Sequence, residues 1–181
     1  MPLYFAAIAF ALAWLIASLA RHTQLPFYLE VPGVVGLYSL LYEIFRRRLW
    51  RLRLLRHLGI VNVPDLRGVW RGSATSSIDG LAEPFPVTIW ISQNWTHILI
   101  KLRTEQSESR SVVGAIFVAD DVTLSYLFEN VPKAQATDSM HAHRGTAVVK
   151  LSPDERTLEG EYYSGRDRGN FGFLELRKTS G

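Results

Sequence analysis

The sequence predicts a membrane-anchored all-β protein, in which two N-terminal transmembrane helices precede an eight-stranded antiparallel up-and-down β-barrel. Three observations predict this fold. Two apolar stretches lie almost back to back at the N-terminus, a cluster of arginines follows them, and alternating polar and apolar residues then recur between turns. We therefore expect residues 1–57 to form a transmembrane helical hairpin with a basic juxtamembrane helix, and residues 58–181 to form one cytosolic β-barrel domain.

The two apolar stretches are Leu3–Leu19 and Leu25–Phe45, and only residues 20–24 separate them. At about 1.5 Å per helical residue, each stretch approaches the ~30 Å hydrocarbon core of a bilayer, and so short a connection requires an antiparallel hairpin. A cleaved signal peptide fits less well, because no basic residue precedes the first stretch. A buried pair of soluble helices also fits less well, because the rest of the chain has no helical pattern that would cover it.

The arginine cluster predicts the orientation of the hairpin. Arginines that flank a membrane span stay in the cytoplasm, so we place both termini there and the turn at residues 21–24 outside. Gly59 and Pro64 end the arginine-rich helix. Six arginines fall within eleven positions with no acidic residue among them: Arg46, Arg47, Arg48, Arg51, Arg53 and Arg56.

Charge and cysteine content exclude several classes of function. Residues 1–57 carry a net charge of +5, whereas residues 58–181 carry a net charge of −2. The basic part suits anionic lipid headgroups, and the β domain shows no basic stripe that would bind DNA or RNA. The chain contains no cysteine, so disulfides, thiolate metal ligands and a cysteine nucleophile are all excluded.

The β domain contains eight predicted strands joined mostly by short turns. Eight strands fit an up-and-down, lipocalin-like barrel, whose interior holds side chains or one small ligand. A sandwich of seven or eight strands is an alternative that periodicity alone leaves open. The predicted strands lie near Arg67–Ser76, Pro86–Gln93, Thr96–Thr104, Ser109–Ala119, Val122–Glu129, His143–Leu151, Thr157–Ser164 and Phe171–Arg177.

The inward-facing rows of these strands predict a small-molecule site. Apolar residues such as Ile98, Ile100 and Leu102 give way to polar or aromatic residues toward the strand ends. If these ends converge on one mouth of the barrel, they form a concave apolar cavity with a few polar groups, the usual form of such a site. The alternative is that they cap strand ends at a solvated rim. The candidates are Gln93, Thr104, Ser109, Ser111, Tyr126, Asn130, His143, Tyr162 and Ser164.

Catalysis has little support in the sequence. None of the common hydrolase, phosphate-loop, dinucleotide or zinc-protease motifs is present. His141 and His143 are more consistent with a surface pair than with a metal site, and Asp120-Asp121 falls where a hairpin turn is expected. We therefore predict a binding protein without catalytic residues, cofactor or bound metal.

An ordered set of short motifs on a two-helix anchor resembles one family. These are the two-transmembrane, β-strand-rich effectors of the bacterial anti-phage CBASS systems, which are associated with CD-NTase enzymes. The resemblance covers essentially the whole chain. After the basic junction it includes Leu66–Gly72, Gln93-Asn94-Trp95, Thr104, Ser107, Ser109, Ser111, Tyr126, Asn130, Pro132, His143, Gly145, Leu158–Tyr162, Arg166, Arg168 and Gly172.

The resemblance implies a receptor for a cyclic dinucleotide that the CD-NTase makes. It implies that the bound effector forms a homo-oligomer in the inner membrane and disrupts its lipids, which causes abortive infection. On this basis, Trp95 or Tyr126 would stack on a base, and Arg166 and Arg168 would meet the phosphates. Base edges and ribose hydroxyls would bond to Asn130, Gln93, Thr104 and the serines.

Two other function classes remain open at this point. One is a membrane-tethered, lipocalin-like carrier or sensor of an apolar ligand. The other is a membrane adaptor that uses the barrel as a protein-interaction surface. Polar groups at the predicted mouth favour a nucleotide over an apolar ligand, because an apolar ligand would leave them unpaired at a cost of about 1–3 kcal/mol each.

Overall fold

The computed structural model describes residues 7, 10, 11, 14, 15, 18, 27–134, 136, 141–166 and 168–179. The chain divides into two compact units, Met1–Asn62 and Val63–Gly181. The roles predicted for the two parts, a membrane anchor and a ligand-binding domain, stay predictions.

The first unit is helical where the structure describes it. Helix α1 spans Phe27–Arg47, a 3₁₀ turn spans Leu49–Arg51, and the short helix α2 spans Arg53–His57. Within the described helices, none combines the length and hydropathy of a membrane span. Most of the first predicted span lies outside the described residues, so the two transmembrane helices stay a prediction.

The second unit is a closed antiparallel barrel in which each strand pairs with its neighbours along the chain and β1 pairs with β8. This order confirms the predicted up-and-down barrel and excludes the sandwich. The strands are β1 Gly68–Ala74, β2 Phe85–Gln93, β3 Ile98–Arg103, β4 Ser107–Val118, β5 Val122–Pro132, β6 His143–Leu151, β7 Thr157–Ser164 and β8 Phe171–Lys178.

Alternation along the strands builds the core as the sequence predicts. Ile89 and Ile100 are buried, whereas their outward-facing neighbours Trp90 and Leu99 are exposed. The close approach of β1 and β8 also restricts which residues fit in the barrel wall. A Cβ added at Gly72 would lie 1.9 Å from the carbonyl oxygen of Glu175 on β8, so only glycine fits where β1 and β8 close the barrel.

The barrel has two different ends. We call one end the mouth; it carries the β1–β2, β3–β4, β5–β6 and β7–β8 connections. The other end, the base, carries the β2–β3, β4–β5 and β6–β7 connections. The segment that leads into β1 bonds to the base, where Gln93 accepts a hydrogen bond from the Leu66 amide at 2.8 Å and donates one to the Pro64 carbonyl at 3.0 Å.

Candidate functional site

A cavity of about 450 Å³ opens at the mouth of the barrel. Its volume falls within the range of small-molecule sites, roughly 300–1,000 Å³. Apolar side chains such as Val87, Leu102 and Leu174 line it together with aromatic and polar side chains. The mouth therefore forms a concave cavity lined by both polar and apolar groups, and its side chains do more than cap the strand ends.

Three ring side chains form a continuous row along one wall of the cavity. The rings of Tyr126 and Phe128 on β5 lie 6.2 Å apart between centroids at an interplanar angle of 53°. The rings of Phe128 and His143 lie 6.3 Å apart and meet edge to face at 79°. Inward alternation on β5 and pairing with β6 bring these rings together, and they offer flat faces to a bound ring system.

Hydrogen bonds inside the barrel fix the neighbouring polar side chains. Ser109 donates to the Asn130 side-chain oxygen at 2.8 Å, across the β4–β5 pair, and both residues are buried. The Ser111 hydroxyl oxygen accepts the Ile100 amide at 2.9 Å. At the β3–β4 turn, the Ser107 amide donates to the Thr104 hydroxyl oxygen at 3.0 Å. The serine alternation thus forms an ordered polar wall.

Other polar atoms of the cavity have no protein partner. Among the described residues, the Ser164 hydroxyl oxygen and the Asn170 side-chain oxygen are buried without a hydrogen bond. The Tyr126 hydroxyl also has no hydrogen-bond partner in the described part of the chain. Buried polar groups are normally paired, so these three atoms mark positions where a ligand or water would bond.

Burial raises the pKa of both cavity tyrosines, whose phenols are already neutral at physiological pH. It raises the pKa of the Tyr126 hydroxyl well above its usual range. Burial also raises the pKa of the Tyr162 hydroxyl, with Ser76 and Arg168 acting in the opposite direction. The Tyr162 hydroxyl donates to the Thr75 carbonyl at 2.9 Å. Both phenols therefore present no negative charge to an anionic ligand at neutral pH.

The charges around the mouth are mixed. Among the residues that the structure describes, three exposed carboxylates line the cavity, those of Asp79, Glu83 and Glu105. The half-buried Arg168 in the β7–β8 loop also lines it with its guanidinium. Arg168 and Asp79 both act on the Tyr162 hydroxyl, so a positive and a negative charge lie close together on this side of the mouth.

Most of the predicted site residues meet in this cavity. Eight of the eleven line it: Thr104, Ser109, Ser111, Tyr126, Asn130, His143, Tyr162 and Arg168. Arg166 lies in the same loop as Arg168 but is exposed and does not line the cavity. The roles of all these residues in binding stay predictions.

The prediction that Gln93 lies at this mouth is wrong, and Trp95, which the resemblance implies would stack on a base, does not line the cavity either. Gln93 ends β2 at the base, where it bonds to Pro64 and Leu66. Trp95 lies in the β2–β3 turn, also at the base. The reason is geometric, because consecutive antiparallel strands end at opposite ends of a barrel, and Thr104 at the end of β3 lies at the mouth.

The sequence-based candidates omitted two wall residues and the acidic rim. Phe128 shares the inward alternation of Tyr126 and Asn130, and Asn170 shares that of Leu174 on β8. Asn170 donates to the Ser76 hydroxyl at 3.0 Å. Extending the inward row of β8 back into its loop would have identified Asn170, whereas the rim carboxylates lie on loops that carry no periodic signal.

Comparisons with known proteins agree with this geometry. A family model described as "Cap15, cyclic dinucleotide receptor domain" matches residues 61–178, which include every strand of the barrel. The chain is also 28% identical over 145 residues to CD-NTase-associated protein 15 of Yersinia aleksiciae. This alignment covers 79% of the chain and 68% of that relative.

Proposed function

This chain belongs to the Cap15 cyclic dinucleotide receptor family, and from this premise we propose that it binds a cyclic dinucleotide in the cavity at the barrel mouth. The observation that carries the proposal is the wall of that cavity. There, an aromatic row lies beside neutral donors and acceptors, some of which have no partner within the described residues. A nucleobase needs both features, namely a flat face to stack on and groups that bond to its edge.

The aromatic row supplies the stacking. Base–aromatic stacking contributes roughly 1–3 kcal/mol per base. Tyr126 is the deepest of the three rings, with only 4% of its surface exposed, and its hydroxyl donates to the ligand. The Ser164 and Asn170 oxygens accept hydrogen bonds from exocyclic amino or ribose hydroxyl groups.

Arg168 is the cation nearest to the ligand phosphates. Its guanidinium forms charge-assisted hydrogen bonds with phosphate oxygens, which are stronger than neutral ones. The rim carboxylates oppose a dianionic ligand, so affinity depends on stacking and neutral hydrogen bonds more than on net charge. Arg166, which is exposed outside the cavity, contributes less than Arg168.

We further propose that the protein is a CBASS effector that acts as a receptor and not as an enzyme. A CD-NTase supplies the cyclic dinucleotide, and the bound barrel promotes association of several chains. This association clusters the N-terminal hairpins in the inner membrane and disrupts it, so that the infected cell dies before phage mature. The relative's name supports the link to a CD-NTase. The apolar stretches at residues 3–19 and 25–45 and the arginines after them support the membrane step.

A thermal-shift experiment on the purified chain tests the ligand class. Cyclic di-AMP, cyclic di-GMP, cyclic GMP–AMP and cyclic UMP–AMP are each added to the protein, with fatty acids as a parallel series. A ligand at 100 times its Kd adds about 2.7 kcal/mol to the free energy of unfolding. For a protein of this size, this raises Tm by roughly 5–10 °C.

The two ligand series separate the candidate functions. Stabilisation by one cyclic dinucleotide, and by no fatty acid, supports the receptor. Stabilisation by fatty acids alone would replace it with an apolar-ligand carrier. No stabilisation by either series, with the barrel folded, would favour the adaptor.

Reporter fusions test the proposed inner-membrane topology. A reporter after Gly181 is expected to behave as cytoplasmic, and one inserted between Arg21 and Gln24 as periplasmic, because the arginine cluster holds its end of the hairpin inside. As a control, each position is tested with two reporters, one that is active only in the cytoplasm and one that is active only in the periplasm. A periplasmic C-terminus would contradict the proposal, since a cytosolic messenger would not reach the barrel.

A further inference from the structure

One strand of the barrel has an edge that its neighbour leaves open. Strand β4 pairs with β5 from Ser107 to Val118, but among the described residues its ladder with β3 covers only Glu108–Arg110. Beyond that point the Ile100 amide bonds to the Ser111 side chain instead of a backbone carbonyl, and the β4–β5 register shifts between Ser111 and Val113. We call Val113–Val118 the free edge.

The side chains of the free edge are apolar and exposed. Val113 and Phe117 are 61% and 58% exposed, and Ala115 between them is exposed as well. No charged residue or proline occurs from Ser111 to Ala119. Exposed strand edges are usually protected by lysines, prolines or inward charges, because unpaired N–H and C=O groups recruit another strand. This edge lacks each of these three protections, and the register shift between Ser111 and Val113 lies just before it.

We propose that the free edge pairs antiparallel with the free edge of a second copy of the chain. A two-fold axis at Ala115 places Val113 of one copy opposite Phe117 of the other on both sides of the axis. The smallest side chain then lies at the axis, and no charge meets a like charge across it, which would be destabilising. The same patch on both partners satisfies the requirement for an isologous dimer.

One feature of the hairpin favours a second copy over a lipid surface. Asp120 and Asp121 form the tip of the β4–β5 hairpin, next to the free edge. Asp121 is ion-paired with Lys150 at 2.8 Å, and Asp120 leaves the tip with a net negative charge, so the tip does not attract the anionic headgroups to which basic segments bind. The inference rests on the proposed function for its purpose, since an isologous pair of barrels would bring two hairpins together, as a first step of the proposed clustering. The pairing itself depends only on β4.

Site-specific cross-linking of the full chain in membranes tests this contact. The chain contains no cysteine, so the Ala115→Cys variant carries a single thiol at the proposed axis. Val148→Cys is the matched control, because Val148 is 40% exposed on β6, which pairs with a neighbour on each side. Oxidation without added nucleotide is expected to give at least about tenfold more disulfide dimer for Ala115→Cys, since a disulfide needs Cβ atoms within about 4.5 Å.

Several results would overturn the proposal. Equal dimer yields for the two cysteine variants would mean random collision, and absence of an Ala115→Cys dimer would mean that the edges do not meet. An adduct of Ala115→Cys with a different protein would assign the edge to a foreign partner, and labelling by lipid-soluble maleimides alone would assign it to the bilayer.

A charge exchange tests the two-fold register. Co-purification of two differently tagged full chains is expected to fall about tenfold when both carry Ala115→Lys, because like charges then face each other across the axis. Pairing an Ala115→Lys chain with an Ala115→Glu chain is expected to restore it, and Val148→Lys to leave it unchanged. Failure of the mixed pair to recover would contradict the register about Ala115.

The result of the thermal-shift experiment does not depend on the result of the cross-linking experiment. If the chain cross-links through position 115 but no cyclic dinucleotide stabilises it, the free-edge contact is supported and the receptor proposal is contradicted. If a cyclic dinucleotide stabilises the chain but position 115 does not cross-link, the receptor proposal is supported and the free-edge contact is contradicted.

Discussion

Trp70→Ala is expected to lower the free energy of unfolding by about 3–5 kcal/mol, the usual range for removing a buried tryptophan. Trp70 has no exposed surface, and its indole N–H donates to the Leu66 carbonyl at 2.8 Å. The Lys178 ammonium lies 5.3 Å from the centre of the ring. The substitution leaves a cavity at the base and removes the partner of a backbone carbonyl, so both effects act in the same direction.

Trp90→Ala is the matched control for this experiment. Trp90 lies on the outer face of β2 with 36% of its surface exposed, and the Arg103 guanidinium lies 5.5 Å from its ring. An exposed cation–π contact contributes only about 0.5–1 kcal/mol, so this loss is expected to be several times smaller. Urea unfolding of the purified chains measures both values. Equal losses would contradict the role given to Trp70 at the base.

The strand pattern could be predicted from sequence because it depends on local alternation. Strands β6 and β7 begin and end where the periodicity predicts. The up-and-down order follows from short turns, since neighbouring strands joined by such turns pair with each other. The observed strand bounds differ from the predicted ones where local signals compete. Strand β5 continues to Pro132, beyond its predicted end at Glu129, because Pro132 ends the ladder opposite Ser107.

The cavity could be predicted only in part. Inward alternation identifies Tyr126 and Asn130, but alternation does not reveal at which end of the barrel a residue lies. Alternation alone therefore predicts Gln93 at the mouth, whereas the direction of β2 places it at the base. The free edge of β4 depends on the loss of pairing between β3 and β4, which involves residues distant in sequence and has no local signal.

Tyr126→Ala is expected to weaken binding of the cyclic dinucleotide that stabilises the chain by about 5–150-fold, which corresponds to 1–3 kcal/mol for one base stack. The ring is the buried end of the aromatic row. Because this substitution also leaves a cavity in the core, Kd is measured by calorimetry at a temperature where the variant remains folded. Trp95→Ala is the control, since Trp95 lies at the base and its removal is expected to leave Kd unchanged.

Two tyrosine-to-phenylalanine variants separate ligand contact from structural support. Tyr126→Phe removes a hydroxyl that has no hydrogen-bond partner among the described residues, so Kd is expected to rise while the stability of the unliganded chain stays constant. Tyr162→Phe removes the hydrogen bond to the Thr75 carbonyl, so stability is expected to fall by about 1 kcal/mol with little change in Kd. The reverse pattern would show that the ligand lies near the β7 wall instead of the aromatic row. Unchanged affinity in Tyr126→Phe, Tyr126→Ala and Tyr162→Phe alike would remove the mouth cavity as the binding site, because a ligand stacked there cannot avoid both walls.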